Sequence, residues 1–176
     1  MTTAPSARCC PTRGARIPLI MRVGSKVLPE GRPAPRRSDA VVELMDVMPT
    51  LLDLVGAPVP ACVEGSSLKG EITGEHPLER DYLHGEHSGS REQSNQYVVT
   101  KHDKYVWFTQ TGVERYFDLD ADPREEHDLS RDPAHAERAA ELRAILIDEL
   151  RGREEGHVAN DELVVGRTPR AVLARD

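Results

Sequence analysis

Cysteine, aromatic side chains and long apolar runs are all scarce in this sequence, and each scarcity closes off a class of protein. Among 176 residues there are three cysteines, Cys9, Cys10 and Cys62. An odd number at irregular spacing gives neither a disulfide framework nor a zinc pattern, so a reduced, cytoplasmic setting is the default expectation. No run approaches the roughly 18 apolar residues of a membrane span. The Arg-rich start has no apolar stretch behind it, which argues against a secretory signal. A hydrophobic fraction of 38% beside a charged fraction of 30% allows a modest core, shared with a neighbouring segment or partner. The net charge of −7 argues against nucleic acid as the main ligand. Acidic residues are nearly missing from one end: residues 1–37 carry eight Lys or Arg and one acid, Glu30. The remainder carries fifteen bases and twenty-nine acids, so two compositionally different pieces meet near Arg36-Arg37.

The few aromatics are concentrated. Tyr97, Tyr105, Trp107, Phe108, Tyr116 and Phe117 lie in three short runs rich in β-branched and aromatic residues. Two polar turns, Lys101-His102-Asp103 and Gln110-Thr111-Gly112, separate the runs. This pattern predicts a three-stranded antiparallel meander, with Gly112 supplying a positive φ at the second turn. Alternation puts Lys104, Val106 and Phe108 on one face and Tyr105, Trp107 and Thr109 on the other. A sheet this small has to cover its apolar face. The cover expected is a helix opened by Asp132-Pro133, with Ala139, Leu142, Ile145, Leu146 and Leu150 on one side and Gly152 as its stop.

Earlier in the chain, Ile17–Val23 and Val41–Leu44 predict short strands, and Glu79–Glu86 a further strand ahead of the meander. Asp46–Gly56 predicts a short helix capped by Asp46, with Met48, Leu51, Leu52 and Val55 on a buried face. Pro- and Gly-rich segments on either side predict loops.

These segments resemble, in order, the C-terminal portion of the sulfatases, sulfuric-ester hydrolases with an alkaline-phosphatase-like fold. Arg16-Ile17-Pro18-Leu19-Ile20-Met21-Arg22 resembles the family's R-(V/I)-P-L-I-x-R strand. Asp46–Gly56 is similar to its D-(I/V)-x-P-T-L-L-x-L-x-G helix, and Gly65-Ser66-Ser67-Leu68 to its G-x-S-L loop. Lys104–Phe108 resembles the K-Y-I strand. Glu114–Leu119 with Asp122-Pro123, Glu126 and Asp128-Leu129 resembles the closing E-x-L-Y-D-L-x-x-D-P-x-E-x-x-(N/D)-L motif. Each motif alone is weak; five in order across residues 16–129 are specific.

The resemblance implies an α+β fold. A C-terminal sulfatase subdomain, a small antiparallel sheet packed on a long helix, would follow the tail end of an alkaline-phosphatase-like α/β domain. The divisions expected are a disordered basic leader over 1–15, a remnant of the α/β domain over 16–62, the α+β subdomain over 63–152 and an extended tail over 153–176. The family's formylglycine nucleophile and its divalent metal, usually calcium, are held by segments upstream of the matched stretch. This chain is therefore expected to be inactive alone and to need no cofactor of its own. A sulfate ester becomes its ligand only when the missing catalytic part is supplied. The alternative reading is an interaction module that docks on a separate catalytic chain or self-associates through unsatisfied apolar positions such as Met48 and Leu51.

Cys9-Cys10-Pro11-Thr12-Arg13 spells the C-x-P-x-R motif, which makes Cys9 a formylglycine candidate by its letters. Its context differs, because Arg16-Ile17-Pro18 follows at once with no metal-ligand segment between. A miniature enzyme using Cys9, or His84, Glu86 and His87, is the third reading. His84-Gly85-Glu86-His87 is the best chemical candidate within the matched region, since two imidazoles and a carboxylate can bind a metal or move protons. On a strand His84 and Glu86 share a face while His87 is opposite. The resemblance places this region at the rim of the active site, so His84, Glu86, His87 and the cation Lys104 are candidates for substrate contact; no metal site is expected. Trp107 and Phe108 read as core, and the acidic turn Asp118–Asp128 as an Asp-Pro turn rather than a calcium loop.

Overall fold

The computed structural model of the chain describes residues 16–27, 34–87 and 93–168. The described residues divide into two compact units, Pro18–Leu83 and a second that begins at His84.

In the first unit the apolar runs Ile17–Val23 and Val41–Leu44 do not form strands. A strand needs a second backbone to pair with, and among the described residues none lies beside either run. The chain instead enters a 3-10 turn at Leu44–Asp46 and then helix α1 (Val47–Leu54). Pro49 sits in the first turn, where its missing N–H costs nothing. Helix α2 (Lys69–Thr73) is a single short turn. The face of α1 expected to be buried is not: Met48, Leu51 and Val55 are 52%, 56% and 69% exposed. Pro49 and Thr50, on the other side, are the buried positions.

Asp46 explains which side is held. It stands at the helix start but gives the helix no side-chain cap. Its carboxylate accepts the backbone N–H groups of Glu43 and Ser66, each at 2.8 Å, and both guanidinium nitrogens of Arg80 at 2.7 Å. Thr50 Oγ1 donates to the Asp46 carbonyl and accepts the Leu68 N–H at 2.8 Å. The helix motif and the Gly65–Leu68 loop are thus one interlocked part. A Cβ at Gly65 would come within 2.1 Å of the Met45 carbonyl oxygen, so only glycine lets the loop pass there. Burial alone would raise the Asp46 pKa, but the Arg80 and backbone donors outweigh it and hold the carboxyl below its ordinary 3.8.

The second unit is built on a four-stranded sheet in the order β1-β2-β3-β4: β1 (Tyr82–His87), β2 (Asn95–Thr100), β3 (Asp103–Phe108) and β4 (Glu114–Asp118). The meander is therefore extended by the strand ahead of it. Register pairs Tyr97 with Val106 and Lys104 with Phe117 on one face, and Gln96 with Trp107 and Tyr105 with Tyr116 on the other. All six residues of β3 are buried, including Trp107 at 1%. The β3–β4 connection turns at Gly112, with φ 72°.

Asp132 accepts the Ala134 N–H and Pro133 opens a 3-10 turn that leads into helix α3 (Ala136–Leu150). Leu142, Leu146, Ile147 and Leu150 face inward, and α3 packs on β2 and β3. Arg138 and Arg143 tie it to the face that carries Tyr105 and Trp107, donating to Asp103 at 2.6 Å and Glu114 at 3.2 Å. The segment after Gly152, expected as an extended tail, instead turns back as a small hairpin of β5 (Val158–Ala159) and β6 (Glu162–Leu163). Asn160 and Asp161 form its turn in the left-handed region, at φ 52° and 61°.

Candidate functional site

Strand β1 brings two of the four predicted contact residues together. His84 and Glu86 project from the same face and both reach Gln96 on β2. The Gln96 amide nitrogen donates to Glu86 Oε2 at 3.3 Å, so its oxygen faces His84 Nε2 at 2.8 Å and the imidazole is the donor there. Glu86 also receives Arg153 at 3.0 Å, and Arg153 in turn lies 3.4 Å from Glu155. The outcome is a polar cluster of an imidazole, an amide, a carboxylate and a guanidinium along one edge of the sheet. Gln96 is buried at 6%, whereas the Glu86 and Arg153 side chains are 41% and 31% exposed. Such a cluster can hold a hydroxyl-rich or anionic group by charge-assisted hydrogen bonds.

β1 is unbroken from Tyr82 to His87 through Gly85, so strand alternation puts His87 on the opposite face. The reason for the glycine is Tyr97. A Cβ at Gly85 would come within 2.2 Å of the tyrosine ring, so the end of that ring occupies the space beside the edge strand's backbone. Lys104 is the fourth predicted contact, and the structure places it away from the cluster. Its ammonium sits 4.9 Å above the Tyr97 ring and 3.2 Å from Glu125, with both side chains 1% exposed. A lysine closed off in this way braces the sheet and offers no charge to a ligand. Glu125 reaches it from a left-handed backbone conformation, φ 56°.

Sequence reasoning missed two members of this region. Arg153 gave no signal beyond its charge. His157 is 2% exposed and packs edge-on against Trp107, with ring centroids 5.5 Å apart. Its Nδ1 has no hydrogen-bond partner among the described residues. Burial pushes its pKa below the ordinary 6.5; Arg153 and Arg167 add to that, while Glu155 and Glu86 oppose it.

The acidic turn contains no ion site of its own. Asp118 accepts the N–H groups of Asp120 and Ala121, and Asp122 those of Arg124 and His127, so these carboxylates fold the turn. Among the described residues no group of three or more His, Cys, Asp or Glu could hold a metal ion, so they do not fit the family's divalent metal. Cys9 lies outside the described residues, and with it the basic leader. No helix among the described residues is long and apolar enough to cross a membrane.

Residues 8–152 match the family model described as N-sulphoglucosamine sulphohydrolase, C-terminal. The chain is 51% identical over 128 residues to an arylsulfatase of Clostridium perfringens, an alignment that covers 73% of this chain and 26% of that protein. It is 28% identical over 137 residues to a multifunctional alkaline phosphatase superfamily protein of Trinickia caryophylli, covering 69% and 26% of the two. Among solved structures it is similar to a 2-O GAG sulfatase, with 33% identity and a TM-score of 0.54 over 60% of this chain and 24% of the other. The chain thus spans about a quarter of the length of the curated relatives it matches. Family model, relatives and the interlocked Asp46–Leu68 motifs agree: the chain belongs to the sulfatase family and corresponds to the C-terminal part of its members.

Proposed function

We propose that this chain serves a sulfuric-ester hydrolase as its C-terminal, substrate-facing part, and that bond cleavage requires a catalytic portion docked upon it. One observation carries the reading: the Asp46 motif helix, anchored on its polar side, turns Leu44, Met45, Met48, Leu51 and Val55 outward. A helix anchored through Asp46 and Thr50 yet apolar on its free side is a half-interface. A neighbouring polypeptide that covers these side chains would gain on the order of 25 cal/mol for each Å² of apolar surface removed from water. The relatives themselves carry about three further quarters of chain beyond the matched part.

In the assembled enzyme the His84–Gln96–Glu86–Arg153 cluster would face the substrate's polar groups. Arg153 offers a cation and Glu86 accepts hydroxyls, while His84, its Nε2–H given to Gln96, fixes the amide between them. Lys104 holds the sheet in register behind them. The test is aryl-sulfate hydrolysis with added calcium, by the chain alone, by its Cys9→Ala variant, and by the chain mixed with the N-terminal remainder of the Clostridium perfringens arylsulfatase. No turnover alone and restored turnover in the mixture are expected. Turnover by the chain alone that Cys9→Ala abolishes would overturn the reading and make Cys9 a nucleophile. A mixture that forms a complex by size exclusion yet stays inactive would refute the catalytic role and leave the docking.

A further inference from the structure

We infer that the segment after α3 is an acid-released latch, held shut by neutral His157 against Trp107. The ring stands where the chain leaves α3 and enters the β5–β6 hairpin. It is the deepest anchor that this segment has in the sheet: 2% exposed, edge-on to the indole, with no acceptor for a proton on Nδ1 among the described residues. The other ties are one backbone bond to the buried Thr109 and several side-chain contacts nearer the surface. Gly166 donates its N–H to the Thr109 carbonyl at 2.9 Å, and the Gln110 amide donates to the Arg167 carbonyl at 2.6 Å. Arg143 pairs with Glu162 at 2.8 Å, and Arg151 with Asp161. The exposed ion pairs contribute little each, so beside the Gly166–Thr109 bond the hairpin's docking depends chiefly on the buried ring.

Protonation converts that anchor into a liability. A second N–H would be buried without an acceptor, and the charge would sit in a low-dielectric site. The charged groups that face the ring are Glu86 from β1, Arg153 and Glu155 from the turn after α3, and Arg167 beyond β6. Two are cationic and oppose a charged imidazole. Glu86 and Glu155 are each already paired with Arg153, at 3.0 and 3.4 Å. β3 presents only the indole, and α3 reaches the hairpin through Arg143. The folded-state pKa is lowered, so the docked hairpin is fully stabilised above the ordinary histidine value of 6.5 and loses that stability as pH falls below it. Release carries Arg153 away from Glu86 and removes the only cation that the described contacts give to the β1–β2 cluster. The latch itself does not depend on the chain's docking to a catalytic partner.

The full chain is compared at about pH 7.5 and about pH 5.5, either side of the ordinary histidine range, by hydrogen exchange and by fluorescence of Trp107, its sole tryptophan. After correction for intrinsic rates, amide protection over residues 157–166 is expected to fall measurably, by up to about tenfold, the ceiling set by lying one pH unit below the ordinary histidine value. Protection of β2–β4 should persist, and the indole emission should shift to the red. His157→Phe should remove both changes. Unchanged hairpin protection, its loss together with β2–β4, or the same loss in His157→Phe would overturn the latch. Should the phenylalanine variant not fold, proton NMR of His157 in the native chain decides. A ring titration midpoint that coincides with hairpin release supports the latch, and midpoints that differ refute it.

Discussion

At Asp46 a fully buried carboxylate is met by two backbone N–H groups and the two terminal nitrogens of Arg80. Removing one member of such a set leaves the others buried and unpaired, which is costlier than the pair is worth. Asp46→Ala should therefore lower unfolding stability by about 3 kcal/mol or more, seen as a fall in the urea midpoint; an unchanged midpoint would show that Arg80 finds another partner. Lys104 and Glu125 allow a sharper comparison, because each is 1% exposed and they meet at 3.2 Å. Lys104→Ala alone should cost about 3 kcal/mol, whereas the double change Lys104→Met with Glu125→Leu should cost far less, since the desolvation of both charges disappears with them. Equal losses in the single and double variants would mean that the pair contributes packing rather than charge. Asp103 sets the acid limit of α3. Burial raises its pKa, but Arg138, Thr100 and Tyr116 lower it further, to a net value below 3.8. The stability it lends is present above the ordinary aspartate value and drains away as pH falls below it, and Asp103→Asn should flatten that part of the acid-unfolding curve. The same partnership pushes the Tyr116 hydroxyl up to about 12, after the larger effect of its burial.

Among the elements, edge strand β1 is fixed by what lies over it. The Tyr97 ring takes the space a side chain at position 85 would need. Gly85→Val should displace the ring, separate it from the Lys104 ammonium and cost roughly 1–3 kcal/mol as an overpacked site; a crystal structure with the ring unmoved would refute this. Elements with a full repeat were readable from the chain. Strands β2–β4 announced themselves by aromatic and β-branched alternation, and α3 by Asp132-Pro133 and its apolar spacing, because both patterns extend over at least five residues. The strands predicted at Ile17–Val23 and Val41–Leu44 failed for a physical reason: an apolar run encodes willingness to pair, not the presence of a neighbour. The β5–β6 hairpin escaped because each strand has two residues, too few for a period. Its turn residues Asn160-Asp161 were the available clue, since both tolerate the left-handed region. In the site, His84 and Glu86 were legible as strand neighbours, while Arg153 and His157 arrive from a fold-back that no local pattern describes. Lys104 showed its charge in the sequence but not its burial, which Glu125 creates from twenty-one residues away.

For the whole molecule, the anchored α1 helix predicts association. Met48, Leu51 and Val55 should drive the purified chain toward self-association when no partner is present. Leu51→Glu should return it to a monomer by size exclusion without loss of helicity, because the substitution falls on an outward position 56% exposed. A native chain that elutes as a monomer would refute the half-interface.

On the proposed docking, that outward apolar face would also have a meaning in the cell. Uncovered patches of this kind are what chaperones and quality-control proteases read, so, if the proposed docking holds, the face would tie the lifetime of the chain to what covers it. A chain made in excess of its partner would be cleared until the two were matched. The five exposed side chains from Leu44 to Val55 would then act as a gauge of stoichiometry, setting how much of the protein persists.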